Sequence, residues 1–458
     1  MTEVHPTPEA LEGFVLGQLS PMEMREIARH LLTGCPQCQD ATACLWEPDE
    51  LEDVEALALA ELSEAGREEH YDEVLDRVFE RVVATESVVA EQRAVGHKLF
   101  EELMQVPAER RSLLVGNSVR FRNRMLCERL MEESYEARFG DLRRSADMAR
   151  LATLVADRLS PGDCGCQEVL DSVRARAWAY LGNAFRINQD LTGSEQAFAV
   201  VESLLEEGLV TLLDRARVLV LLSGLRRDQQ RFAEAFQLLD RAGVLYKRLG
   251  QWSLLGRTLL QKSMACGESG DGEGEMRLLR RALDLIDPQE DPRVFLAARH
   301  NLILSLNENG RSREAFALLF HTRPLYLKAG DRMNLLKLRW LEGLVALGLQ
   351  RTDQAEAAFR EVRQAFTELG LYYDMGLVSL DLASAYALQG RTADVRQVSE
   401  ETLAIFQAHN IHRGAMAALL ALSSAARVDQ AGIGLVREVS GFLKRARSNP
   451  DLQFSPPS

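Results

Sequence analysis

The stretch Trp178-Ala-Tyr-Leu181-Gly182-Asn-Ala-Phe185-Arg-Ile-Asn-Gln189-Asp-Leu-Thr-Gly-Ser194-Glu-Gln-Ala-Phe198 decides the fold, because its key residues return at a fixed interval. From Ser194 the same position recurs as Ala235, Glu275, Ala315, Ala355, Val395 and Leu435, after 41 residues and then every 40. Twelve places before each stands a mostly small residue: Gly182, Ser223, Ser263, Ile303, Gly343, Ala383, Ser423. Five before lies a turn position, held by Gln189, Gln230, Gly270, Gly310, Gln350, Gly390 and Gln430. Four after stands an apolar residue in every copy but the sixth: Phe198, Leu239, Leu279, Leu319, Phe359, Ser399, Val439. Columns that keep register from Gly182 to Val439 are the mark of a stacked array, in which each unit leans on its neighbours. The fold class expected is all-α: an α-solenoid of helical hairpins.

Composition agrees. A chain of 458 residues exceeds one compact core, so several domains or an elongated array are expected. The 6% aromatic content, poor in Tyr and Trp, argues against an all-β fold. No run reaches the roughly 18 uncharged apolar residues of a membrane span, and the longest, Ala415 to Ala426, has twelve. Met1-Thr-Glu-Val-His lacks the basic and apolar regions of a secretory signal, which predicts a cytoplasmic protein without a membrane partner. The net charge is −14, and between Glu47 and Glu73 twelve carboxylates face Arg67 alone. Such a chain is a poor binder of nucleic acid, whose affinity comes from clustered Lys and Arg. No phosphate-binding loop, metalloprotease helix or nucleophile elbow is present, so a non-enzymatic protein is expected.

Trp178-x-x-Leu181-Gly182-x-x-Phe185, with Ser194 and Phe198, resembles the tetratricopeptide repeat in a long, 40-residue form; later copies keep it in part, as in Leu382, Ala383, Tyr386 and Gly390. The length of the period places the extra residues in the second helix, with C-capping by Gly250, Gly330, Gly370 and Asn410. In such arrays the first helices line the concave face. The resemblance thus implies partner contacts at Arg176, Arg217 and Arg257, six before the small position, at Asn183, one after, and at Arg186 and Arg227, four after. That groove is expected to be basic in its first three repeats and apolar beyond, suited to an acidic segment with a hydrophobic extension. The alternative is that these arginines are solvated or paired with local Glu and Asp.

The first 48 residues read as three short helices, opened by Thr7-Pro8 and by the capping box Ser20-x-x-Glu23. Helices this short need another source of stability. His30-Leu-Leu-Thr-Gly-Cys35-Pro-Gln-Cys38, with His5 upstream, offers imidazoles and paired thiolates, the donors tetrahedral zinc prefers. The arrangement resembles the anti-sigma-factor zinc-finger domain, with His-x4-Cys in place of that family's His-x3-Cys. The resemblance implies structural Zn2+ on His5, His30, Cys35 and Cys38, with Cys44 the rival for the fourth place; a redox pair or inert cysteines are the alternatives.

Cys164-Gly-Cys166 reads as a loop of exposed thiols, Gly267 to Gly274 as an inter-helix turn rather than a calcium loop, and His300, His409 and His412 show no catalytic spacing. Arg110, Arg111, Arg120, Arg122 and Arg124 form a basic patch opposite in sign to the acidic segment. The organisation expected is a zinc-stabilised helical module over 1–48, an acidic helical linker over 49–115, a degenerate capping hairpin over 116–168, about seven TPR-like repeats over 169–447 and a disordered tail over 448–458. Functionally this implies a regulatory adaptor that takes a protein or peptide in its groove, with a sigma factor as a possible target of the zinc module and self-association left open. The alternative is a scaffold or peptide-signal receptor whose zinc module is only structural.

Overall fold

The turn column governs where each helix stops. In the computed structural model Gln189, Gln230, Gly270, Gly310, Gln350 and Gly390 adopt φ of 65°, 60°, 90°, 76°, 63° and 68°. This left-handed residue lets the next N–H fold back on the helix five residues upstream: Arg231 N–H donates to Arg226 O at 2.8 Å, Arg311 to Leu306 O at 2.8 Å and Arg391 to Tyr386 O at 2.9 Å. The same closure ends second helices at Gly250, Gly370 and Asn410, with Gln251, Leu371 and Ile411 donating to Tyr246, Phe366 and Phe406. These are Schellman caps, which satisfy carbonyls that would otherwise be orphaned.

The structure describes residues 91–446, except Phe139, Asp429 and Gln430, together with 5–7, 10, 22–23, 26–27, 30 and 452–454. The chain divides into two compact units, Met1–Val95 and Gly96–Ser458. Among the described residues there is no strand. The larger unit opens with helical residues 96–104, then α1 (Ala108–Asn117), α2 (Arg124–Ala137) and α3 (Leu142–Arg158). Seven hairpins follow: α4 (Gln167–Ile187) with α5 (Leu191–Glu207), α6 (Leu212–Asp228) with α7 (Phe232–Arg248), and α8 (Trp252–Glu268) with α9 (Gly272–Leu285). Next come α10 (Pro292–Glu308) with α11 (Ser312–Ala329) and α12 (Arg332–Gly348) with α13 (Thr352–Glu368). The last two are α14 (Tyr372–Leu388) with α15 (Thr392–Ala408) and α16 (Arg413–Arg427) with α17 (Ile433–Ala446).

The sequence columns map onto these helices in fixed register. The small position is the twelfth residue of α6, α8, α10, α12 and α14, and the Ser194 column is the fourth residue of α5, α7, α9, α11, α13 and α15. Where the small residue is glycine, the apolar residue sixteen places on rests against its bare backbone. A Cβ on Gly182 would lie 2.7 Å from the Phe198 ring and one on Gly343 2.7 Å from the Phe359 ring, and both phenylalanines are fully buried. Close approach of the paired helices therefore depends on the missing side chain. The extra length of the period is shared by both helices, not confined to the second: α6 and α7, α12 and α13, and α14 and α15 all have 17 residues.

One local expectation is corrected. Cys164 is not an exposed loop thiol: Ser160 and Asp163 close a capping box around the turn Pro161–Cys164, and the side chain packs in the core with Leu159 and Leu170. Burial pushes its thiol up, and of this pair Cys166 alone is exposed. Three arginines of the basic patch are held locally: Arg120 pairs with Glu102 at 2.7 Å, Arg122 with Asp163 at 2.6 Å, and Arg111 donates to the carbonyls of Met104 and Val106. The acidic segment lies outside the described residues.

The last hairpin departs from the pattern. Its first helix, α16, packs on α15 as expected, but its second, α17, crosses onto α14, the first helix of the preceding hairpin. In the tail expected to be disordered, Phe454 packs edge-on against Phe442 of α17, ring centroids 5.0 Å apart.

Candidate functional site: the inner face of the first helices

At 100° per residue, the positions six before, one after and four after the small residue fall within one 80° arc of each first helix. Acidic residues share that side, and they recur in register too: Asp228, Glu268 and Glu308 stand five places after the small position in three successive hairpins. The sequence reading missed this column, which the same 40-residue count would have shown.

The structure gives every predicted arginine a carboxylate. Arg176 of α4 makes a two-pronged contact with Glu128 of α2, at 2.5 and 2.7 Å, and reaches Asp214 of α6 at 3.1 Å. Arg217 pairs with the same Asp214 at 3.1 Å. Arg186, steadied by Asn183 Oδ1, pairs with Asp228 at 2.6 Å. Arg227 pairs with Asp228 at 3.0 Å and lies 3.6 Å from Glu268, and Arg257 pairs with Asp291 at 2.5 Å. Opposite charges thus alternate from one hairpin to the next, and the inner face of the first three is charge-compensated where a basic groove was expected. Arg176, Arg186 and Arg227 are largely enclosed, whereas the side chains of Arg217 and Arg257 stay 45% and 43% exposed.

Farther along, the inner face turns aromatic and acidic. The Trp340 indole N–H of α12 donates to Asp381 of α14 at 2.7 Å, and burial holds the Asp381 carboxyl up at about 6 although Lys444 pulls it down. Lys444 of α17 pairs with Glu308 of α10 at 2.9 Å. The histidines have structural roles. His300 is hydrogen-bonded to Tyr326 Oη at 2.6 Å and pushed down to about 4 by burial, with a smaller push from Lys337; His409 stacks on Tyr372; His412 caps α16.

Of the four expected zinc ligands, Cys35 and Cys38 lie outside the described residues, as does Cys44. His5 and His30 are described, and the smaller unit brings them together: His5 Nδ1 lies 3.3 Å from His30 Nε2, with the rings at 88°. Two imidazole nitrogens bound at about 2.0–2.1 Å to a tetrahedral zinc ion sit about 3.3 Å apart, so this pair fits two corners of such a site. Among the described residues no three His, Cys, Asp or Glu side chains are grouped to hold a metal. No described helix is long and apolar enough to cross a membrane.

Neither a family model nor a curated protein matches the chain by sequence. Solved structures match it in fold. A Rap protein in complex with competence and sporulation factor aligns with TM-score 0.52 at 11% identity, over 71% of this chain and 88% of its own. Aspartyl phosphate phosphatase F from Bacillus subtilis aligns at 0.48 and 14%, over 88% and 95% of the two chains, and the apo form of RapI at 0.48 and 8%, over 70% and 98%. The first of these shows a common fold, a solenoid of helical hairpins.

Proposed function

We propose that this chain is a non-catalytic receptor that takes a protein or peptide along the inner face of its hairpins, the reading in which any zinc module is architectural. One observation carries it: Arg217 and Arg257, each held on one carboxylate, keep nearly half of their side chains exposed in register 40 residues apart, where Arg176, Arg186 and Arg227 are enclosed. Fixed, half-satisfied arginines hold a carboxylate at little ordering cost. The Rap protein of similar fold was solved with competence and sporulation factor bound, which is support by analogy of fold. The test is recovery of a partner on the full chain, identified by cross-linking, against Arg217→Glu/Arg257→Glu. Loss of the partner with helicity unchanged supports the reading; undiminished recovery refutes it.

The His5–His30 approach favours a second element, structural zinc on His5, His30, Cys35 and Cys38. With four protein ligands such an ion leaves no open position for chemistry and serves folding alone. Cys35→Ser in the full chain then loses stoichiometric zinc, and unchanged metal content would rule the site out. Capture of a sigma factor by this module is the sharper version; it requires that the partner recovered be a sigma factor and be lost in Cys35→Ser but kept in the groove variant.

A further inference from the structure

The last helix lies where a ligand of the array would lie. Relative to the small position, Glu308 of α10, Trp340 of α12, Tyr373 and Asp381 of α14 stand at +5, −3, −10 and −2, all within one arc of about 100° that also holds the groove positions six before and one after. Onto this arc comes α17. Tyr373 Oη donates to the Leu443 carbonyl at 2.6 Å, and the next residue, Lys444, sets its ammonium on Glu308 at 2.9 Å. That ion pair joins residues 136 apart in sequence, across two intervening hairpins, in an architecture whose principal helix contacts are between neighbours. Asp381, hydrogen-bonded to Trp340, adds a second negative charge that acts on the same ammonium.

We infer that the inner face of hairpins four to six is a receptor surface for an amphipathic basic segment, and that α17 is its resident, displaceable occupant. This deepens the receptor reading and rests on it for the external partner, but not for the displacement itself. Two features make α17 suited to the part. Its face toward α14 is apolar, with Val436, Val439 and Leu443 buried, while Lys444 stands at the edge where the acidic pair lies. It belongs to the last hairpin of a linear array, the place where such arrays open first. The Lys444 and Glu308 side chains are 59% and 57% exposed, so their pair sets register and selectivity more than affinity. The external partner that fits is a segment presenting Lys or Arg beside an apolar helical face. It differs from the carboxylate-bearing stretch that Arg217 and Arg257 would hold, so one bound chain with an acidic end and a basic amphipathic end would span the channel.

The test uses the full chain and needs no partner. Native-state amide exchange should show α17 opening at least tenfold more often than α14. Lys444→Glu, which sets a carboxylate against Glu308 and Asp381, should raise that opening about tenfold further, and Glu308→Lys/Lys444→Glu should restore it. As a second measurement, a labelled peptide of residues 431–446 should bind the Lys444→Glu chain at least tenfold more tightly than wild type and should not bind that chain once Glu308→Lys is added. Exchange of α17 at the rate of α14 in both proteins, or equal peptide binding to wild type and Lys444→Glu, overturns the inference. Failure of the Arg217/Arg257 test alone would overturn the receptor reading while leaving these exchange results in place.

Discussion

Gly343 offers the sharpest test of why these hairpins close. Replacing glycine by alanine inside a helix ordinarily stabilises by about 1 kcal/mol. Here the added methyl would meet Phe359 Cε1 at 2.7 Å, Cδ1 at 3.0 Å and the Ala358 methyl at 3.1 Å. The phenyl ring is fully buried between α12, α13 and α14 and has no space to retreat, so overpacking of about 1–3 kcal/mol outweighs the propensity gain. Gly343→Ala should therefore destabilise by about 1 kcal/mol. Phe359→Ala alone should cost about 3–5 kcal/mol through lost burial and the cavity left behind. Within Phe359→Ala the clash is gone save the Ala358 contact, which needs only a small adjustment, and Gly343→Ala should now stabilise by up to about 1 kcal/mol. The sign inverts, and the coupling in a double-mutant cycle is about 2 kcal/mol. Urea unfolding of the four chains, followed by far-UV circular dichroism with m-values compared, measures it. If Gly343→Ala has the same sign in both backgrounds, the account of small residue against large ring is wrong.

Further outcomes follow from single groups. Asp381 titrates near 6 when folded against an ordinary 3.8, so between those values the folded chain holds a proton that the unfolded chain has lost. Its contribution to stability is accordingly present below about pH 4 and lost as pH rises through 6, on the order of 2–3 kcal/mol. Asp381→Asn keeps an acceptor for Trp340 and should abolish that difference, read as wild type minus variant in urea melts at pH 4.5 and 7.5; parallel curves refute it. Lys444→Met removes the ammonium facing Asp381 and should move its carboxyl above 6 in a carbon-detected NMR titration, while Glu308→Gln should move it below. Gly390→Ala, at φ +68°, should cost about 1–2 kcal/mol through left-handed strain, and no loss in thermal or urea melts would contradict the capping argument. Arg176→Met strips the guanidinium from Glu128 and Asp214 and should destabilise the joint between α2, α4 and α6 by about 2–4 kcal/mol, with amide exchange accelerated there before it is elsewhere.

What the amino-acid sequence determined by itself was everything that repeats: the two helices per unit, the residue at which each first helix stops, and the face on which Gly182 meets Phe198 and Gly343 meets Phe359. Helix periodicity, glycine or glutamine in a left-handed cap and a small residue across from a large one act over twenty residues or fewer, so their causes sit in the local pattern. The column of Asp228, Glu268 and Glu308 was equally legible once acids were counted in the same register. What only the tertiary structure decided was who faces whom across the stack. Arg176 finds Glu128 48 residues away and Arg186 finds Asp228 42 residues away, and α17 turns onto α14 and sets Lys444 on Glu308. Those pairings depend on the rotation between successive hairpins, the sum of many packing contacts. A pattern of residue types does not specify that rotation, which is why a groove that counts as basic along the chain is neutral at its near end and carries its own helix at the far one.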